Sequence, residues 1–297
     1  MGLTDNMKGA LLMALAMTAF TVNDVFMKQL SGHLPLFQAI FLRGCLTSLL
    51  IGGLAWRAGA LRLPRDRRDR WLVGLRCAAE AGAAYFFLSA LFNMPIGQLT
   101  AILQALPLAV TLGAALAFGE PVGWRRWSAI GIGFVGVLLI VQPWGEAFTV
   151  FAVYGVATVV CAAVRDLATR RLSPSVPSLG VTFVTAVTVA LFALAMSAGE
   201  DWVRPDAYAA WRLVAAAGLI FVAYQTIIMA MRVGEIGFVA PFRYTGLVAA
   251  LAAGAVVFGE RPAPLTLVGA AIVVATGLFT LHRERMLRRQ AGVAAAR

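Results

Sequence analysis

Ten apolar stretches alternate with short polar breaks along the chain, at 9–30, 36–56, 71–92, 96–118, 127–143, 148–169, 177–198, 210–231, 236–258 and 264–281. A helix needs about 20 mostly apolar residues to cross a bilayer core about 30 Å thick. The pattern therefore predicts an all-α polytopic membrane protein of ten transmembrane helices. The breaks carry Gly, Pro and charge, as in "SGHLP", "AGALRLPRDRRDR", "GEPVGWRR" and "AGEDWVRPD", which is how turns are punctuated.

Composition sharpens this class. Hydrophobic residues make up 61% of the chain and charged residues 13%, against about half and about a quarter in soluble domains. The first stretch does not read as a cleaved leader. It carries Asn23, Asp24 and Lys28 in its later half, and no small-residue cleavage site follows. Cys45, Cys77 and Cys161 all lie in apolar stretches. Odd in number and without paired spacing, they predict packing rather than disulfides or metal ligands.

The formal net charge is +11, yet its distribution speaks for a lipid bilayer and against nucleic acid. Basic residues concentrate on one side, in alternate breaks and the span ends beside them: Lys8, Arg57, the run from Arg62 to Arg70, Arg125, Arg126, Arg165, Arg170, Arg171, Arg232 and the tail from Arg283. The other side carries only Lys28, Arg204, Arg212 and Arg261. By the positive-inside rule this predicts a bacterial-type inner-membrane protein with both termini cytoplasmic. The seven tryptophans, Trp56, Trp71, Trp124, Trp127, Trp144, Trp202 and Trp211, fall at or near the ends of stretches, as in an interfacial aromatic belt.

The chain also repeats itself. "FGE" closes the fourth stretch at 118–120 and the ninth at 258–260, and with those copies aligned Gly97 falls on Gly237. Five spans separate the copies, so the same element lies at opposite faces, as in transporters built from inverted repeats. The halves are read as 1–144 (spans one to five) and 145–282 (spans six to ten), followed by a basic cytoplasmic tail, 283–297. In each turn the Gly can end a helix in the left-handed conformation. The carboxylate of Glu120 or Glu260 then sits near the amino end of the next helix, where the dipole favours an anion. A gating or substrate role for the two glutamates is the alternative.

"FLRG" in span two, "LPLAV" with Pro107 in span four, the two FGE turns and "APFRYTGLVAALAAGAVVFGERP" through span nine resemble the drug/metabolite transporter superfamily. They are most similar to its EamA-type members, which have two five-span repeats. The resemblance covers nearly the whole chain. It implies transport of small metabolites, often outward, and the family includes amino-acid exporters of the YddG type. The second half departs from the first in lacking a counterpart of Pro107. Leu247 stands there, with Pro241 earlier, so the two spans should bend differently.

Ionisable groups inside spans are expensive in lipid and mark working sites. Asp24 and Arg43 lie at matching depths, about six and seven residues from the same face at about 1.5 Å per residue. They are expected to form a clamp or to contact substrate. Arg76 and Glu80 are four residues apart and share a helix face. Arg243 lies near the depth of Glu80, so it either receives a substrate carboxylate through its planar fork or is locked against Glu80. Asn23, Tyr85, Thr100, Gln104, Tyr154, Thr158, Tyr224, Gln225 and Tyr244 complete the candidate pocket. Such groups face the bundle interior, bonding helix to helix or lining an amphiphilic cavity.

"GIGFVG" at 131–136 matches a dinucleotide-binding pattern but lies inside span five, outside any βαβ unit. Its small residues predict close helix packing instead. No P-loop, H-E-x-x-H or G-x-S-x-G occurs. The expectation is a secondary transporter without cofactor, not an enzyme, acting on a small-molecule substrate as a monomer or homodimer. It exports amino acids, aromatic or otherwise apolar ones included, by alternating access; an uptake permease or a membrane-embedded enzyme is the alternative. The orientation is directly testable. In a protein cleared of native thiols, a cysteine at Ser197 or Gly199 should react with an impermeant reagent from outside the cell, and cysteines in the 57–70 loop should not. Outside labelling of that loop would overturn the topology.

Overall fold

The computed structural model describes residues 4–62, 64, 66–119, 123–144 and 148–295. Among them the fold is all helical: α1 (Asp5–Gln29), α2 (Leu36–Arg57), α3 (Arg67–Asn93), α4 (Ile96–Leu103), α5 (Leu106–Phe118), α6 (Trp124–Val141), α7 (Val150–Arg170), α8 (Ser178–Met196), α9 (Ala207–Val233), α10 (Ile236–Val239), α11 (Thr245–Phe258) and α12 (Pro264–Ala295). They make ten segments long and apolar enough to cross a membrane. The basic tail is helical in its described part. It continues the tenth helix, α12, as far as Ala295.

Local chemistry sets the helix ends. Asp66 and Asp206 cap α3 and α9 by accepting from Arg68 N and Ala209 N, at 3.4 and 2.7 Å, satisfying amide groups that the helix leaves free. Gly119 and Gly259 end α5 and α11 at φ 62° and 65°. A side chain is strained in that left-handed region, so the FGE turns need their glycine. The two spans that end in these turns are both broken. The fourth is interrupted at Gln104 and Ala105, just before Pro107. The ninth is interrupted by a 3₁₀ segment, Ala240–Tyr244, that contains Pro241. The different prolines thus break both spans at nearly equivalent places.

Packing follows the repeat. The most extensive pairings are α1 with α9, α3 with α7, α2 with α8 and α6 with α12. Exchanging the halves turns the first pair into the second and returns each of the others to itself. That is the pattern of two inverted five-helix repeats. All seven tryptophans are exposed, so they face outward from the bundle, as a girdle requires.

The α6–α12 contact explains the glycines of "GIGFVG". A Cβ on Gly136 would lie 2.9 Å from the Gly269 carbonyl oxygen, and one on Gly269 would lie 2.5 Å from that of Gly136. Gly133 sits against Leu108 and Thr276, whereas Gly131 has nothing near it. Backbone meets backbone at Gly136 and Gly269, and neither side can yield. One sequence expectation changes here. Ser197 is buried in a 3₁₀ turn with its hydroxyl donating to Leu194 O at 2.8 Å. Gly199, which is exposed, is the position suited to thiol labelling.

Gly269→Val should lower the unfolding temperature in detergent by several degrees, since overpacking costs about 1–3 kcal/mol. Gly131→Ala should leave it unchanged or raise it. Equal behaviour of the two variants would show that α6 and α12 are not in backbone contact.

Candidate functional site

Six charged side chains from four helices gather in the interior. Arg165 on α7 donates to Glu80 Oε2 on α3 at 2.9 Å and to its neighbour Asp166 at 2.8 Å. One turn before Glu80, Arg76 reaches Thr185 Oγ1 on α8 at 3.4 Å, and its Nε is buried without a partner. Arg43 on α2 makes no hydrogen bond or ion pair among the described residues, although Asp24, Glu80 and Tyr224 lie close enough to act on its charge. The formal charges of Asp24, Glu80, Asp166, Arg43, Arg76 and Arg165 cancel. Charges carried into a low-dielectric interior survive only when matched in this way.

Arg43, Arg76, Glu80 and Tyr224 line one cavity of about 90 Å³, walled also by Thr47, Thr182 and Thr185. This is well below the roughly 300–1,000 Å³ of small-ligand pockets, so a metabolite would need it wider. One turn further along α3, Tyr85 stacks on Phe37 at 5.7 Å, and Tyr154 lies 6.0 Å from Tyr85 and 5.2 Å from Phe86. Phe151 and Phe192 extend the cluster. A charged compartment and an aromatic one thus adjoin along α3.

The other candidates fall elsewhere. Asp24 accepts from Asn23 Nδ2 at 2.8 Å, while the Asn23 Oδ1 is buried without a partner. Asp24 and Arg43 attract one another, but no ion pair joins them. The expected clamp is therefore looser than direct contact. Thr158 is satisfied within its own helix by Tyr154 O at 2.8 Å. Thr100, Gln104 and Gln225 are half-buried and do not line the cavity.

Arg243 is exposed and does not lock against Glu80, which is paired with Arg165 instead. Depth along the span, on which the lock was expected, does not fix which way a side chain points around a helix, here broken by the 3₁₀ segment that contains Arg243. Tyr244 is buried against Gly277, with its hydroxyl unpartnered.

Glu260 is likewise placed differently from expectation. Its carboxylate accepts from Ile96 N of α4 at 2.9 Å and pairs with Lys28 Nζ of α1 at 2.8 Å. It caps a helix of the other half rather than the next helix in sequence. Lys28 also donates to Met94 O and lies over the Phe258 ring. Glu120 lies outside the described residues. On the same face as Glu260, Glu200 accepts from Phe37 N and Gln38 N, each at 3.0 Å. Gln38 exchanges two hydrogen bonds with Val203. These contacts join helices at the face opposite the termini.

Sequence reasoning missed Arg165 and Asp166 as site residues. An Arg–Asp dipeptide inside the sixth apolar stretch was the available signal. Lys28 and Glu200 also went unread, since charges near span ends look like ordinary flanks.

The model of the EamA-like transporter family matches this chain twice, over residues 7–142 and 149–281. A riboflavin transporter of Vibrio cholerae is 30% identical over 234 residues, 77% of this chain and 78% of that protein. A pseudopaline exporter of Pseudomonas aeruginosa is 28% identical over 268 residues, 90% of this chain and 93% of its own. An S-adenosylmethionine uptake transporter of Rickettsia conorii is 24% identical over 287 residues, 91% of each chain. A solved crystal structure, 22% identical, superposes with a TM-score of 0.64 over 94% of this chain and 98% of that one, which speaks for the fold alone.

The two charge pairs should behave differently in double-mutant cycles read from unfolding in detergent. Glu80→Gln with Arg165→Gln should show a coupling of about 0.5–3 kcal/mol, as for groups in contact. Asp24→Asn with Arg43→Gln should show a smaller one. A larger coupling for the second pair would overturn the assigned contacts.

Proposed function

The chain belongs to the EamA-like transporter family, and from that premise we propose that it moves small carboxylate-bearing metabolites, amino acids with apolar side chains among them, outward by alternating access. The observation that carries this reading is the pair of guanidinium groups on one cavity wall. Arg76 keeps a buried Nε unpartnered, and Arg43 has no direct partner among the described residues. A carboxylate accepts two parallel hydrogen bonds from such a fork. The nearby carboxyl groups of Glu80 and Asp24 suit an ammonium group. The cluster of Tyr85, Tyr154 and Phe86 suits an apolar side chain. The carboxylate role that the sequence suggested for Arg243 passes to Arg43 and Arg76.

In this scheme the cavity opens as the two halves rock, and the Lys28–Glu260 and Glu200 contacts hold the far face shut. Both termini lie in the cytoplasm, a placement supported by the charge bias of the loops. Uptake is the second reading, favoured by the name of the Rickettsia relative. Direction of net movement under an imposed gradient distinguishes the two.

Purified protein in liposomes, offered a panel of labelled amino acids and their amides, tests the proposal. Arg76→Lys keeps the charge but loses the fork. It should reduce transport of carboxylates about 10–100-fold, the worth of a charged hydrogen bond, and affect amides much less. Arg243→Lys should stay near wild type. Equal loss for carboxylates and amides would make Arg76 a structural residue. Movement of no amino acid at all would exclude that substrate class.

A further inference from the structure

A second crevice lies apart from the charged cavity. It lies between α6 and α12 at the termini-bearing end and has a volume of about 560 Å³, within the range of ligand pockets. Its shape follows from the glycine contact. Gly136 and Gly269 press α6 and α12 together near the opposite face, and Gly133 still touches Thr276 midway. Beyond that point the crevice opens between them.

Trp124, Ser128 and Ile132 line one wall at four-residue spacing, and Ala275, Phe279 and Met286 line the other. Eight residues from Trp124 to Ile132 span about 12 Å, a substantial part of an acyl chain. Trp124, Ile132, Phe279 and Met286 are exposed, so the walls are apolar and uncovered.

The rim differs in chemistry. Arg125, His282 and Arg283 stand at the mouth. The Arg125 guanidinium lies over the Trp124 ring, 5.4 Å from its centroid, a cation–π placement that holds it at the interface. No acidic side chain is among the described lining residues. A cationic rim above an apolar slot is complementary to one class of molecule abundant in a bilayer: an anionic headgroup with a hydrocarbon tail. Basic pockets between transmembrane helices are recognised sites for acidic lipid headgroups. A zwitterionic lipid would gain less from the rim, and a second copy of this chain would bring the same like-charged arginines against it.

We propose that this crevice binds one acidic phospholipid, its phosphodiester held by Arg125 and Arg283 and one acyl chain lying between α6 and α12. The lipid would fill the crevice between the two helices and stiffen the pair on which the rest of the bundle moves. This is independent of which metabolite the transporter carries.

The test is native mass spectrometry of the full-length protein in a neutral detergent, titrated with dioleoyl phosphatidylglycerol or dioleoyl phosphatidylcholine. The expected result is one retained phosphatidylglycerol that phosphatidylcholine does not displace. Arg125→Gln and Arg283→Gln should each weaken it about five-fold, and together about thirty-fold, the contribution of a basic residue to an anionic surface. Ala275→Trp leaves both charges and fills the exposed slot; it should also abolish retention. Unfolding temperatures of the variants without added lipid verify that each is folded. Equal retention of the two lipids by the wild-type protein would reduce the crevice to ordinary lipid contact and overturn the proposal. So would unchanged affinity in the double variant, or cross-linking of Ile132→Cys between two copies.

Discussion

Inside a bilayer a charge or an unsatisfied backbone group is tolerated only where protein surrounds it, and this constraint organises the whole molecule. It explains why Arg43, Arg76, Arg165, Asp24, Glu80 and Asp166 converge rather than scatter. Each alone would cost several kcal/mol to desolvate. Together they cancel, and the Glu80–Arg165 contact joins a helix of the first half to one of the second. The helix breaks obey the same constraint. Both interrupted spans lie where neighbouring helices pack on them, so backbone groups released at the breaks are not left to lipid.

The inverted repeat turns that interior into a device with two ends. The helix pairings are symmetric, and related contacts stand at corresponding turns of the two faces. At one face Lys28 lies over Phe258 and reaches Glu260. At the other, Arg171 lies over Phe118, the residue equivalent to Phe258, with 3.7 Å to the ring centroid. Similar cation–aromatic contacts thus close corresponding turns on opposite sides. In the proposed alternating-access scheme, such paired contacts would be broken one at a time. Rigid contact is supplied elsewhere, at Gly136 and Gly269, where neither helix has a side chain that could give way.

Much of this was legible in the sequence. Ten apolar stretches fixed the spans, because a bilayer sets a length that short loops cannot imitate. The two FGE turns exposed the repeat, and their glycines have the left-handed backbone that the turn requires. Arg76, Glu80, Arg43 and Tyr224 could be picked out by type and depth alone, since a charge within a span must face protein. The glycines of "GIGFVG" announced close packing for the same kind of reason: helices approach only where side chains are absent.

Tertiary structure alone decided partners and directions. Depth along two helices cannot tell which faces meet, so Asp24 and Arg43 looked paired and are not in contact, while Arg165 took the place expected for Arg243 opposite Glu80. Arg243 lies exposed in a 3₁₀ break of its span, and depth along a span does not report the direction a side chain takes. Glu260 was expected to cap the next helix and instead caps α4, far away in sequence. The sequence determined which groups had to be buried or satisfied, because solvation penalties belong to residue types. Which group satisfies which depends on how the two halves dock, and that arrangement exists only once the chain has folded.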